Sequence, residues 1–259
     1  MDAAIADQVR DILGDCVVRT IGRLEAEDTH RPFHARMISP EAIFWSRFER
    51  SFSTSFGQSV IERISELIAI GAGATASRQR ETLVTLTTTQ WDEVESIVRR
   101  ARSGGSTPPS WDAEVAAVVA AGAYGVTDTR RVISDLWWTK EGVEHFMSIK
   151  TVKPNLDQTA EAKRDLLRLA ASHPEARVYF GLYYNPYGEA ASDYGFSPPQ
   201  RLFDFSAVSP VLIGAAYWDK LGGPGTYEEV LDIAAEVGDR MVPRLREYAE
   251  RAAVTDVAL

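Results

Sequence analysis

Apolar positions change period along this chain. At the start, Ile5, Val9, Ile12, Leu13, Cys16, Val17, Ile21 and Leu24 recur at helical spacing over residues 3–25, which predicts a helix with one apolar face. In "ISPEAIFWSRFER", Ser39 supplies an N-cap and Pro40 a first-turn proline for the next helix. "QSVIERISELIAI" extends a further helix from about Gly57 to the glycines at 71 and 73. "ETLVTLTTT" is β-branched and reads as a strand, and "TQWDEVESIVRRAR" reads as a helix capped by Thr89 whose closing basic residues suit the negative end of its dipole. "SGGSTPPS", residues 103–110, is the one linker-like stretch.

Beyond it the period shortens. "RRVISDLWW" and "VEHFMSIKTV" predict two strands folded over a Lys-Glu-Gly turn. "DQTAEAKRDLLRLAASH" reads as a helix, "ARVYFGLYYN" as a buried strand, "SPVLIGAAYWD" as another strand, and Thr226 caps a last helix that Pro243 kinks. These elements imply an α/β or α+β fold, a mixed central β-sheet flanked by helices. The expected organisation is one domain, residues 1–259, with a mainly helical part over 1–110 and the sheet core over 111–259.

The 259 residues, 45% hydrophobic and 25% charged, suffice for a sizeable core in a soluble globular protein. A single cysteine, Cys16, precludes an intrachain disulfide and reads as a buried small hydrophobe in a reducing compartment. The N-terminus carries acids where a signal peptide has basic residues, and no apolar run approaches the ~18 residues of a membrane span, so the expected location is cytoplasmic, away from membranes. A net charge of −9 argues against a nonspecific nucleic-acid coat. It leaves room for a local basic cleft that grips DNA and uses acids to hold cations.

The candidate chemistry lies in "DLWWTKEGVEHFMSIKTVKPN". With the turn centred on Glu141 and Gly142, residue 135 faces residue 148 across the hairpin, so Asp135 lies beside Ser148 and one pleat from Lys150. Glu144 shares their face by parity but stands roughly 20 Å from Lys150 along the strand, too far to be a second ligand. From the residues alone, Asp135 and Lys150 are either an ordinary ion pair or part of a cation site. The histidines His30, His34, His145 and His173 show no metal-ligand spacing, so a cation here is held by oxygens, which favours Mg²⁺ over Zn²⁺.

An Asp followed by SxK on a hairpin and then a helix resembles the PD-(D/E)XK nuclease core. In that superfamily the Asp and an acid two residues before the Lys hold Mg²⁺, and the Lys positions or activates the attacking water. Ser148 stands where the acid is usual. Some members with Ser or Thr there take the missing carboxylate from the following helix, which in this chain offers Asp157, Glu161 and Asp165 at i,i+4 spacing. The resemblance points to Glu161 first and Asp165 next. "RPFHARMISPEAIFWSRFERSFSTSFGQSVIERIS" and "SIKTVKPNLDQTAEAKRDLL" further resemble type II restriction endonucleases of the TdeIII family, from about residue 31 to the C-terminal helix.

That resemblance implies Mg²⁺-dependent cleavage of both strands of double-stranded DNA at a short palindrome, with a GGNCC-type site as the expected target. It further implies a homodimer and a cognate DNA methyltransferase in the same restriction-modification system. On this reading Asp135, Ser148, Lys150, Glu161 and Glu62 form the catalytic set, with Asp135, Glu161 and Asp165 around the metal; Glu66 is the alternative to Glu62. Arg130, Arg131, Lys153, Asn155, Asn185, Gln200 and Arg201 have donors suited to phosphates or base edges, and Arg78 and Arg80 share that potential. Trp137 and Trp138 read as packing residues. A repair or structure-specific nuclease of the same core, or a DNA-binding protein whose Ser148 marks a dead site, are the other readings.

Overall fold

The computed structural model describes residues 1–26, 32–104, 109–206 and 210–255. Residue 31, where the family resemblance starts, His30 and residues 105–108 of the linker-like stretch lie outside them. The chain divides into two compact units, Met1–Ile64 with Glu228–Leu259, and Ser65–Tyr227.

The first unit is helical. It contains α1 (Ala3–Ala26), α2 (Pro32–Met37), α3 (Pro40–Ser55), a π-helical turn at Phe56–Val60, the start of α4 (Ile61–Gly71), and nearly all of α10 (Thr226–Thr255). The apolar stripe of α1 is buried at Ile5, Val9, Ile12, Leu13, Cys16 and Ile21. Ser39 caps α3 by accepting the Ala42 N–H, as its position before Pro40 predicts. The residue following Val242 is Pro243, and α10 runs through it.

The second unit holds the sheet. β1 (Thr75–Thr87), β2 (Thr127–Lys140), β3 (Val143–Lys150), β4 (Arg177–Leu182) and β5 (Val211–Ile213) lie side by side in chain order. The first two pairings are antiparallel and the last two parallel, giving a mixed sheet. Helices α5 (Thr88–Arg102), α6 (Trp111–Ala121), α7 (Leu156–Ser172), α8 (Ser197–Gln200) and α9 (Ala215–Gly222) complete the α+β fold expected from the sequence. Because α7 connects the parallel pair β3 and β4, it crosses the sheet and buries Ala160, Ala162, Leu166 and Leu169 against Val84, Val132, Phe146 and Phe180.

Three sequence expectations need correcting. The N-cap of α5 is Thr87, whose hydroxyl accepts the Gln90 N–H while the Gln90 side chain returns to the Thr87 N–H; Thr89 donates to the carbonyls of Ala121 and Tyr124 instead. Only Val211–Ile213 of "SPVLIGAAYWD" is strand, since Gly214 at φ +58 turns the chain into α9. The strand read from "ETLVTLTTT" starts earlier, at Thr75, because the polar run "TASRQR" pairs with β2.

Candidate active site

The hairpin of β2 and β3 sets the site. Lys140 pairs with Val143 across a two-residue turn in which Glu141 and Gly142 both have positive φ, +54 and +78, the twist that a type I′ turn requires. From this turn the register places residue 135 opposite residue 148. Regular pairing nevertheless stops at Leu136 and Met147, while Ser148, Ile149 and Lys150 continue to pair with β4. β2 therefore parts from β3 at Asp135.

The Asp135 carboxylate fills the fork. Its Oδ2 accepts the Ile149 N–H at 2.7 Å, the Lys150 ammonium at 3.0 Å and the Ser148 hydroxyl at 3.1 Å. These donors fix one carboxylate oxygen and leave the other, Oδ1, facing the Gln79 amide at 3.5 Å. The Asp135 and Lys150 side chains are 20% and 22% exposed, so the pair is shielded yet reachable from solvent. The structure thus gathers Asp135, Ser148 and Lys150 as the register arithmetic predicts.

Gln79 had no signal in the sequence. It is a non-glycine residue at φ +50 inside a strand, and the pair it would make with Asp135 is missing from a register otherwise unbroken from Thr75–Thr139 to Thr87–Thr127. The interruption has a packing consequence. Residues five apart on an alternating strand face opposite sides, yet Val132 and Trp137 pack against the same core cluster. Beside Gln79, Arg78 is clamped by Glu66, whose carboxylate accepts both the Arg78 backbone N–H at 3.2 Å and its guanidinium at 2.7 Å.

Among the described residues no three His, Cys, Asp or Glu side chains form a group placed to hold a metal ion, so Asp135, Glu161 and Asp165 are not together in one. Asp165 binds Arg168 at 2.9 Å, and burial raises its carboxyl above the usual range. Glu161 is exposed and makes no ion pair among the described residues, and Asp157 pairs with Arg102 at 2.6 Å. Glu62 belongs to the first unit, whereas Glu66 belongs to the second with Asp135.

Of the candidate DNA contacts, Arg130 pairs with Asp128 and lies over the Trp91 ring, and Arg131 pairs with Glu81 across the strands. Asn155 caps α7 in a reciprocal box with Gln158. Asn185 donates to the Ala190 carbonyl and accepts the Tyr187 N–H; Gln200 donates to the Tyr194 carbonyl. These three amides serve the protein's own backbone. Arg201 is exposed, and Lys153 lies 5.1 Å from the centre of the Tyr187 ring. The loop carrying Tyr187 and Tyr194 is tied beside the site, since the Tyr194 hydroxyl donates to the Val152 carbonyl just after Lys150. Trp137 donates to Glu144 and Trp138 stacks on His145, so both indoles are packing residues here.

A carboxylate oxygen not used by the three donors, beside a hydroxyl, suits a hard divalent cation. Mg²⁺ is commonly held by one or two carboxylates together with water and substrate phosphates. Asp135 Oδ1 and the Ser148 hydroxyl are the oxygens present at the fork.

Comparison with known proteins gives a consistent result. The family described as type II restriction endonuclease, HinfI, matches residues 1–238. The type II restriction enzyme HgiEI of Herpetosiphon aurantiacus is 33% identical over 216 residues, covering 80% of this chain and 77% of that protein. HgiBI of the same organism is 32% identical over 214 residues, with 80% and 77% covered. HgiCII is 29% identical over 224 residues, with 84% and 81% covered.

Proposed function

Since the chain belongs to the HinfI family of type II restriction endonucleases and is therefore a site-specific deoxyribonuclease, we propose that Asp135, Ser148 and Lys150 form its reacting centre. The reaction is Mg²⁺-dependent hydrolysis of both strands of double-stranded DNA at a short palindrome. The observation that carries this reading is the convergence of Lys150, Ser148 and the Ile149 amide on one oxygen of Asp135.

Asp135 would hold the cation through Oδ1, the oxygen that the three donors do not use. When bound, Mg²⁺ lowers the pKa of the attacking water and offsets the charge growing on the phosphate. Lys150 is kept at the site by its ion pair with Asp135, and its ammonium orients the water and stabilises the negative charge of the transition state. Ser148 holds the Asp135 carboxylate in position and contributes a hydroxyl where a second acid is absent. Glu161 assists as the exposed carboxylate of α7, while Asp165 is committed to Arg168.

A palindrome has two-fold symmetry, so one cut in each strand calls for two copies of the site, and the working form is a homodimer. A cognate methyltransferase would shield the host's own sites. The test is digestion of unmethylated phage DNA with Mg²⁺, beside EDTA and a Lys150→Ala control. Discrete fragments lost in both controls support the reading. No cleavage across a wide range of salt and metal would overturn it.

A further inference from the structure

We propose that Gln79 is a cation-binding residue, its amide oxygen adding to Asp135 Oδ1 a second oxygen that compensates for the acid absent at Ser148. This inference rests on the Asp135 site above and deepens it.

The backbone of Gln79 is the first observation. Besides Glu141 in the hairpin turn, Gln79 is the non-glycine residue with positive φ among the described residues. No turn explains it, because the strand continues on both sides. A non-glycine residue in the left-handed region is strained and persists where surrounding structure enforces it, and such residues cluster at functional sites. The Glu66–Arg78 clamp grips the neighbouring residue through both its backbone and its side chain.

The direction of the side chain is the second. Strand continuity puts Gln79 opposite Asp135, and its amide lies 3.5 Å from Oδ1, the oxygen that Ser148, Ile149 and Lys150 do not use. Half a turn about the Cγ–Cδ bond exchanges the amide nitrogen and oxygen, so a group that donates to Oδ1 can also present an oxygen on that side. Gln79 is exposed, within reach of solvent and of DNA. A neutral oxygen donor has a further advantage, since a second carboxylate beside Asp135 would repel it whenever the cation is away.

Mn²⁺, a paramagnetic stand-in for Mg²⁺ with the same preference for oxygen, tests this directly. Binding to the full chain is followed by electron paramagnetic resonance of free Mn²⁺, with thermal unfolding measured in parallel. Gln79→Gly removes the amide while suiting the positive φ. It is expected to weaken Mn²⁺ binding about 10-fold with no loss of unfolding temperature, and Gln79→Glu to tighten it about 10-fold, because charge and ligand number set affinity. Asp135→Asn is the reference for the site itself. If Asp135→Asn loses Mn²⁺ while both Gln79 variants bind like the wild type, the role of Gln79 is overturned and Asp135 stands. If Asp135→Asn matches the wild type, including no binding in either, the Asp135 reading fails and this inference with it.

Discussion

The Ile149 amide donates to the Asp135 carboxylate at 2.7 Å, taking a side chain as partner where the ladder between β2 and β3 has ended. A backbone N–H left open by two parting strands is costly to bury, and the carboxylate both satisfies it and is oriented by it. The same oxygen takes Ser148 and Lys150.

The donors therefore differ in consequence. Ser148→Ala removes one hydrogen bond to Asp135 and leaves two, so cleavage is expected to fall less than ~10-fold. Lys150→Ala removes the charge facing the scissile phosphate and is expected to cost ~100-fold or more. Single-turnover cleavage of one DNA fragment measures both, and equal losses would show that the lysine acts only by holding Asp135.

The two acids of α7 separate in the same way. Glu161→Ala is expected to slow Mg²⁺-dependent cleavage by more than ~10-fold, about 1.4 kcal/mol of barrier, with little change in stability. Asp165→Ala strips a largely buried Arg168 of one partner and is expected to lower the unfolding temperature instead. Cleavage unaffected by either variant would remove α7 from the reacting centre.

Lys163 is the second unit's buried charge. Its ammonium pairs with Glu114, donates to the Leu202 carbonyl at 2.8 Å and lies over the rings of Trp111 and Phe203; burial lowers its pKa. Lys163→Ala leaves Glu114 uncompensated and opens a cavity, an expected loss of about 3–5 kcal/mol. Lys163→Met keeps the apolar stem and should lose less. Urea midpoints of the two variants give the comparison.

His145 sets a pH dependence. Its ring stacks on Trp138 with centroids 4.6 Å apart, and burial, with Lys220 and Arg177 nearby, lowers its pKa to about 4. The unfolded chain takes up that proton near pH 6.5 and the folded one only near pH 4, so this contribution to stability is full above about pH 6.5 and lost as pH falls toward 4. His145→Phe retains a stacking ring without the proton. The drop in urea midpoint between pH 7 and pH 5 is expected to shrink in the variant; an unchanged drop would assign it to other groups.

Gly181, next to last in β4, marks close packing beneath the site. A Cβ there would lie 2.8 Å from Met147 Sδ and 2.8 Å from a Tyr217 ring carbon, and Tyr217 is held by its hydrogen bond to Ser65. Gly181→Ala is expected to lower stability by about 1–3 kcal/mol through overpacking, read as a fall in unfolding temperature.

What the sequence determined by itself was set by near neighbours. Alternation of period 2 and a two-residue turn at Glu141 and Gly142 suffice to bring Asp135 beside Ser148 and Lys150, because a strand's register leaves no freedom in which side chains share a face. The caps of α3 and α7 and the apolar stripe of α1 are equally local. Tertiary structure alone decided how the strands part at Asp135 and why Gln79 adopts a left-handed backbone 56 positions earlier in the chain. The amides of Asn185 and Gln200 are spent on backbone groups five and six residues away, a choice invisible in a residue's identity. Caps, turns and periods follow from chain geometry within a few residues. Which donor meets which acceptor depends on segments that only folding brings together.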